Sequence, residues 1–356
     1  MFKTVRPNGG IIISKLPLIA TVIPTFHEEN FIETCLNSLC DQTYPSSLHQ
    51  IIIVDGNSSD KTVDIINAFI SNQREDMPQI TLLKNPNRYV SQARNIAFEY
   101  LPENVEYIFE TVAHATFPND HLEIRMQEFL NLQKNTEEKI AAIGTILKPP
   151  EENMPFMANL IEATLANPLG SGRGAYAQFK GLKRTRIPPL AIYRVDALKS
   201  VDGYDDSLIT AQDSDINMRL LKKGWQLWRS DISCIHVTKR QTFLQWLRFG
   251  HRNGFWRVKL VRKHPTRLPL GEVAPWFGLL LTMSLFCSGV QLWWFPPALY
   301  IFVIFSAGFI ETIRWRTPLM FFGVPILLFM LHTTFSIGFL HGFFVKGKAP
   351  KDRVVL

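Results

Sequence analysis

Between Val273 and Ile310 the chain carries no charged residue, and between Thr317 and Val345 it carries none either. A helix needs about 20 consecutive apolar residues to cross a bilayer, so the first stretch is long enough for two crossings and the second for one. The C-terminal quarter is therefore expected to anchor the chain in a membrane through about three hydrophobic segments. Pro275 to Trp294 and Phe295 to Ile313 read as a helical hairpin broken at Phe295-Pro296-Pro297, with Trp293 and Trp294 as interfacial anchors. Arg314 and Arg316 follow on the returning side, as the positive-inside rule asks. Leu319 to Phe344 is the third segment, interrupted by Pro325, His332 and His341. If it crosses, Lys346, Lys348, Lys351 and Arg353 end up outside, against the same rule, so a third crossing and a segment that bends back or lies partly in the membrane both stay open.

The N-terminal MFKTVRPNGG lacks a hydrophobic segment ending in a cleavage site, so residues up to about 270 are expected to stay cytoplasmic, beneath a multi-pass anchor in the inner membrane. Cys35, Cys40, Cys234 and Cys287 have no metal-ligand spacing and fit reduced, buried thiols. The formal charge of +7 is uneven. No acidic residue lies between Asp231 and Glu272, whereas Lys239, Arg240, Arg248, Arg252, Arg257, Lys259, Arg262, Lys263 and Arg267 do. Phe243, Trp246, Phe249, Phe255 and Trp256 are interleaved with them, as in an amphipathic segment on an anionic leaflet. With that segment just before the first apolar stretch, a membrane surface and no nucleic acid is the expected partner.

The remaining chain alternates strands and helices. Ile51 to Val54 is a run for a strand buried on both faces, and it ends abruptly in Asp-Gly-Asn-Ser-Ser-Asp. Val63, Ile66 and Phe69 or Ile70 then recur at helical spacing, with Asp60 available as N-cap. In an open α/β sheet ligands sit beyond the carboxyl ends of the strands, where Asp55 stands. A carboxylate there suits a base nitrogen or a ribose hydroxyl; for an isolated turn of this composition, plain solvation is the simpler reading. Leu18 to Ile23 with the helix Phe31 to Cys40 makes an earlier strand–helix unit, and Ile80 to Leu83 with a helix from Val90 a later one. Tyr107-Ile108-Phe109 is a fourth strand. Such a succession predicts mostly parallel strands joined by right-handed crossovers.

Taken in order, VIPTFHEEN, VDGNSSDKT, SQARNIAF, VAHATFPNDHLE, ANPLGSGRGAY, VDGYDDSL and AQDSDINMRLLKKGW resemble the nucleotide-sugar domain of family-2 glycosyltransferases, most closely those of the succinoglycan type. The likeness runs over roughly residues 18 to 260. It implies an α/β fold, a Rossmann-like GT-A domain followed by transmembrane helices. The resulting layout is an N-terminal extension (1–17), the glycosyltransferase domain (18–235), a basic interfacial segment (236–272), the membrane region (273–345) and a basic tail (346–356).

The resemblance also implies roles. Asp55 matches the base-binding aspartate, with Ser58 in the same turn, and the first-strand loop adds Pro24, Thr25 and Glu28. Arg94 and Asn95 match a helix start where a cation meets the diphosphate. The family's metal site is an Asp-x-Asp or Asp-Ala-His holding Mg²⁺ or Mn²⁺ against the sugar diphosphate. Here it reads Val112-Ala113-His114, with Ala113 on the nucleotide-sugar side and the leading aspartate missing. Strand alternation would put Glu110 and His114 on the same side as Val112. Glu110 or His114 could then hold metal, cations such as Arg94 could replace it, or the site could be inactive. The family's catalytic base lies in a Glu-Asp pair, matched by Gln212-Asp213, so Asp213 keeps the carboxylate; as an isolated residue it would read as a helix N-cap. Gly172, in the glycine-rich Gly170-Ser171-Gly172-Arg173-Gly174, would border the acceptor side. Gln245 and Arg248 match a basic segment that meets donor or lipid phosphates, and an interfacial anchor explains them equally. The expected activity is inverting transfer of a single sugar from a nucleotide-sugar donor to a lipid-linked glycan; the alternative is a degenerate member that binds nucleotide-sugar or glycan in an assembly complex.

Overall fold

A computed structural model describes residues 16–150, 154–171, 179–238, 242–267 and 270–345. Its first half follows the expected alternation: β1 (Ile19–Thr25), α1 (Ile32–Cys40), β2 (His49–Asp55), α2 (Thr62–Ser71), β3 (Gln79–Lys84), α3 (Val90–Tyr100) and β4 (Tyr107–Glu110). The second half has shorter strands: β5 (Ala115–Thr116), α4 (His121–Lys134), β6 (Ile140–Lys148), α5 (Phe156–Ala166), α6 (Pro168–Ser171), β7 (Lys183–Arg184), β8 (Ile192–Arg194), α7 (Val195–Lys199), α8 (Gln212–Lys222) and β9 (Gln226–Val237). Four helices close the chain: α9 (Phe243–Lys263), α10 (Leu270–Cys287), α11 (Phe295–Trp315) and α12 (Met320–Phe344).

One sheet runs β3-β2-β1-β4-β8-β6-β9-β5, with β7 also on β9. The long ladders are parallel, β2 with β3, β1 with β2 and β4, and β6 with β9. Short antiparallel pairs from β8, β5 and β7 complete it. Alternate residues of each central strand enter different cores. Ile19, Ile23, Ile51, Ile53 and Phe109 pack under Ile32, Cys35, Leu36 and Leu39 of α1. Ala20, Val22, Ile52, Val54 and Ile108 pack against α3 and against Ile216 and Leu220 of α8. Each buried aliphatic side chain contributes about 1.5–3 kcal/mol. Both faces of β1 and β2 are thus covered, and only their carboxyl edge is left for a ligand.

The apolar tail differs in detail from the expected hairpin. Its chain break falls at Ser288-Gly289-Val290, followed by a single turn, Gln291–Trp294, whereas Pro296 and Pro297 sit in the first turn of α11. That position suits proline, because the first amides of a helix need no intrahelical acceptor. Two helical stretches, Gln291–Trp315 and Met320–Phe344, are long and apolar enough to cross a membrane; the apolar part of α10, Ala274–Cys287, is shorter. The aromatic residues of α9 also lie differently from the interfacial expectation. Trp246, Phe255 and Trp256 are buried inside the protein, and the Trp246 indole donates to the Leu327 carbonyl of α12 at 3.0 Å. Glycines set that helix pair. A Cβ on Gly254 would lie 2.0 Å from the Phe335 carbonyl oxygen, and one on Gly338 2.0 Å from that of His251. The two backbones touch, as small-residue seams allow.

Candidate active site at the carboxyl edge of the sheet

The parallel register aligns Thr25 with Asp55 and Asp55 with Lys84, so three strands end together. The turns beyond them are tied to one another: Gly56 N–H donates to Thr25 O at 2.8 Å and Asn85 N–H to Asp55 O at 2.7 Å. Gly56 has no room for a side chain, since a Cβ would meet the Arg88 carbonyl oxygen at 2.9 Å. His27, Asn57, Arg88 and Ala211 adopt left-handed backbone conformations without being glycine. Strain of this kind, of order 1–3 kcal/mol each, is retained where the surroundings over-determine the backbone, commonly at binding sites.

Asp55 is buried, and both its carboxylate oxygens are engaged: Oδ1 accepts from the Ser58 hydroxyl at 2.6 Å and Oδ2 from the Ser58 amide at 3.0 Å. Ser58 Oγ accepts in turn from the His27 amide at 3.0 Å. The loop after β1 is held by Thr62, whose hydroxyl accepts from the Glu28 amide at 2.8 Å. The N-cap position expected for Asp60 falls on Lys61 instead, and Asp60 Oδ1 accepts from the Thr62 amide two residues on at 3.1 Å. Pro24 and Thr25 form the last rungs of β1 against Val54 and Asp55.

Beyond β4 the sequence expectation fails at one point. Strand pairing stops at Glu110, so the alternation that would carry Glu110, Val112 and His114 to one side does not continue. Glu110 turns to Arg94, whose Nη2 lies 3.2 Å from Oε2, and accepts a short hydrogen bond from the Tyr204 hydroxyl. His114 instead meets Glu28, with Nδ1 2.8 Å from Oε1. Val112 is half-buried and packs against the core, and Ala113 is wholly buried. Among the described residues no group of three or more His, Cys, Asp or Glu side chains could hold a metal ion. Glu110 and His114, the residues expected to rescue metal binding, thus engage different protein partners, Arg94 and Glu28.

Arg94 is buried, and its Nε and Nη1 have no hydrogen-bond partner among the described residues. Asn95 is occupied: its side chain donates to Tyr204 O and Asp206 Oδ1, both at 2.8 Å, and accepts from the Tyr204 amide at 2.8 Å. It fixes the turn that delivers Tyr204 to Glu110. Burial pushes the Glu110 carboxyl up to about 7 against the pull of Arg94, with the charge of Asp213 adding to the rise.

Asp213 lies in the first turn of α8, after the left-handed Ala211. It is exposed and has no hydrogen bond or ion pair among the described residues. Gln212 beside it keeps a buried, unpartnered Oε1. Two residues on, Asp215 is fully buried and bonded to Arg219 Nε at 2.8 Å, Lys263 Nζ at 2.8 Å and His264 Nε2 at 2.7 Å. Sequence reasoning missed this anchor; an acid within a helical run beside an isolated basic cluster gives no local sign of it. Gln245 forms a capping box with Thr242 at the start of α9, and Arg248 is exposed. Gly172 lies outside the described residues.

A mixed sheet whose parallel strands end in linked turns, with helices on both faces, is the frame of a GT-A-type glycosyltransferase. The glycosyl transferase family 2 model matches residues 21–202, just over half the chain. The chain belongs to that family. It is 28% identical over 340 residues, 93% of this chain and 98% of the relative, to a Methanococcus voltae dolichyl N-acetyl-alpha-D-glucosaminyl phosphate 3-beta-D-2,3-diacetamido-2,3-dideoxy-beta-D-glucuronosyltransferase. It is 26% identical over 329 residues to the succinoglycan biosynthesis protein ExoA of Rhizobium meliloti, covering 89% of this chain and 92% of that one. Among solved structures, the mannosyltransferase PcManGT of Pyrobaculum calidifontis, in complex with GDP-Man and Mn2+, shares the fold with a TM-score of 0.55. That match has 16% identity and covers 91% of this chain and 87% of the other.

Proposed function

We propose that the chain is a membrane-anchored inverting glycosyltransferase that moves one sugar from a nucleotide-sugar donor to a lipid-linked glycan at the cytoplasmic face of the membrane. The observation that carries this reading is Asp213, an exposed carboxylate without a protein partner in the first turn of α8, electrostatically coupled to Glu110 at the end of β4. In an inverting transfer Asp213 takes the proton of the acceptor hydroxyl. That oxygen attacks the anomeric carbon from the face opposite the nucleoside diphosphate, and the bond to the diphosphate breaks. Asp55 and the turns beside it receive the nucleoside, and the unpaired guanidinium nitrogens of Arg94 are suited to a diphosphate. A lipid-linked acceptor is supported by the dolichyl phosphate in one relative's name and by the apolar C-terminal helices.

A second reading, a non-catalytic binder of nucleotide-sugar or glycan in an assembly complex, is favoured by Val112 in place of an aspartate. Membranes containing the chain, incubated with labelled nucleotide-sugars with and without chelator, separate the two. The enzyme reading expects label in the lipid fraction, lost with Asp213→Asn and largely retained in chelator. Donor binding without transfer in any pairing would establish the second reading.

A further inference from the structure

α12 passes for a membrane crossing by length and hydropathy, yet its start is packed on the catalytic domain and its end on α9. Near its start, Gly323 lies against Leu160 of α5, and Met320, Val324 and Leu327 share a buried cluster with Leu160 and Ile161. Near its end, the Phe343 carbonyl accepts from Arg262 Nη2 at 2.7 Å. The next residues of α9, Lys263 and His264, are those fixed to the buried Asp215 of α8. Between these points α9 runs alongside α12 in the same direction, Trp246 on Leu327, Gly254 on Phe335 and Phe255 on Gly342. A helix of 25 residues is about 37 Å long. Were it to cross, α9 would enter the hydrocarbon with it, carrying Arg248, Arg252, Arg257 and Lys259, and a charge costs roughly 2.5–3.5 kcal/mol at the bilayer centre.

The face of α12 turned away from the protein is a single stripe. Phe322, Ile326, Phe329, Thr333, Ile337, Leu340 and Phe344 are exposed at spacings of three and four residues, one side of a helix, with the Thr333 hydroxyl turned back onto the Phe329 carbonyl. Beside this apolar stripe runs the segment between Asp231 and Glu272 that holds basic residues and no acidic one. An apolar face next to a cationic helix matches the boundary layer of a bilayer containing anionic phospholipid.

We infer that α12 does not cross the membrane but lies along its cytoplasmic leaflet, its exposed stripe in the acyl boundary and α9 between it and the catalytic domain. α11 lies antiparallel along the first half of α12, with Tyr300 on His332 and Gly308 on Pro325, and so shares its orientation; Lys346, Lys348, Lys351 and Arg353 then stay on the side of the catalytic domain, in accord with the positive-inside rule. This rests on the membrane-anchored part of the function proposed above and not on sugar transfer.

The test uses the full chain in sealed vesicles containing phosphatidylglycerol. Single cysteines at Phe322, Phe329, Ile337 and Phe344 carry an environment-sensitive fluorophore, and brominated lipids report depth. An in-plane helix gives four equal, shallow depths; a crossing helix gives positions near the middle that are deepest, which overturns the inference. No lipid quenching at any position would show that a second copy or another protein covers the stripe, which also overturns it. An independent readout, needing no change in α12, compares Lys351→Cys with Glu103→Cys toward a membrane-impermeant maleimide. Labelling of both from the same side is expected, and labelling from opposite sides contradicts the assignment. Transfer measured in the same vesicles keeps the two questions apart: an active enzyme with opposite-side labelling refutes only the topology, and inactivity with same-side labelling refutes only the function.

Discussion

Asp55 directs both carboxylate oxygens to Ser58, so any nucleoside it recognises meets a side chain already oriented by its own turn. Removing it should loosen the turn and the donor together. For Asp55→Ala we expect donor affinity to fall about tenfold to a hundredfold, the 1.5–3 kcal/mol of a hydrogen bond to a charged group, read by calorimetry with the cognate nucleoside diphosphate. Glu110 has a different signature. Its carboxyl is raised to about 7 when folded and returns to the ordinary value near 4.5 when unfolded. The folded state therefore holds the proton more tightly, and the stability this gives is complete below about 4.5 and lost as pH rises through 7. Melting temperature should fall between pH 5 and pH 8 more in the natural chain than in Glu110→Gln, whose amide cannot ionise. Equal falls would show that Glu110 is already ionised throughout. Neither residue's partners were legible in the sequence. Strand alternation assigned Glu110 to the side of His114, and the early end of β4 gave it to Arg94 and Tyr204 instead.

At the scale of elements, the first half of the sheet was readable because each strand is long, apolar and followed by a polar turn and an amphipathic helix. β5, β7 and β8 have two or three residues each, too few for a period of two to be seen. Their positions depend on tertiary contacts, among them the buried Arg125 of α4, whose Nη2 donates to Ile143 O at 2.8 Å and Leu190 O at 3.1 Å. In the sequence Arg125 is one more helical charge. The site divides in the same way. Asp55 and Asp213 stand in local patterns that the family resemblance picks out, whereas the clamp from Asp215 to Lys263 and His264 joins segments far apart in the chain. The α9–α12 seam was invisible for the same reason. Gly254→Val should destabilise it by about 1–3 kcal/mol or more, because the new side chain meets backbone that cannot move aside. Gly278→Ala, with nothing within 4 Å of the added carbon, is the matched control. Thermal unfolding in detergent should separate the two, and equal melting temperatures would mean the helices are not in contact.

Across the whole molecule, the helix that carries Asp213 is linked to the apolar C-terminal helices. Asp213 opens α8, Asp215 fixes α8 to the end of α9, and α9 is seated along α12. Asp213, the base of the proposed function, is thereby fixed relative to α12. The most direct test of this account compares Asp213→Asn with the natural chain in one membrane preparation, measuring transfer and donor affinity together. Loss of a general base predicts a fall in transfer of about 10²–10⁴-fold with donor affinity within twofold of the natural value. Transfer at the natural rate, or donor binding lost in step with it, would contradict the assignment of Asp213 as the base and the site built around it.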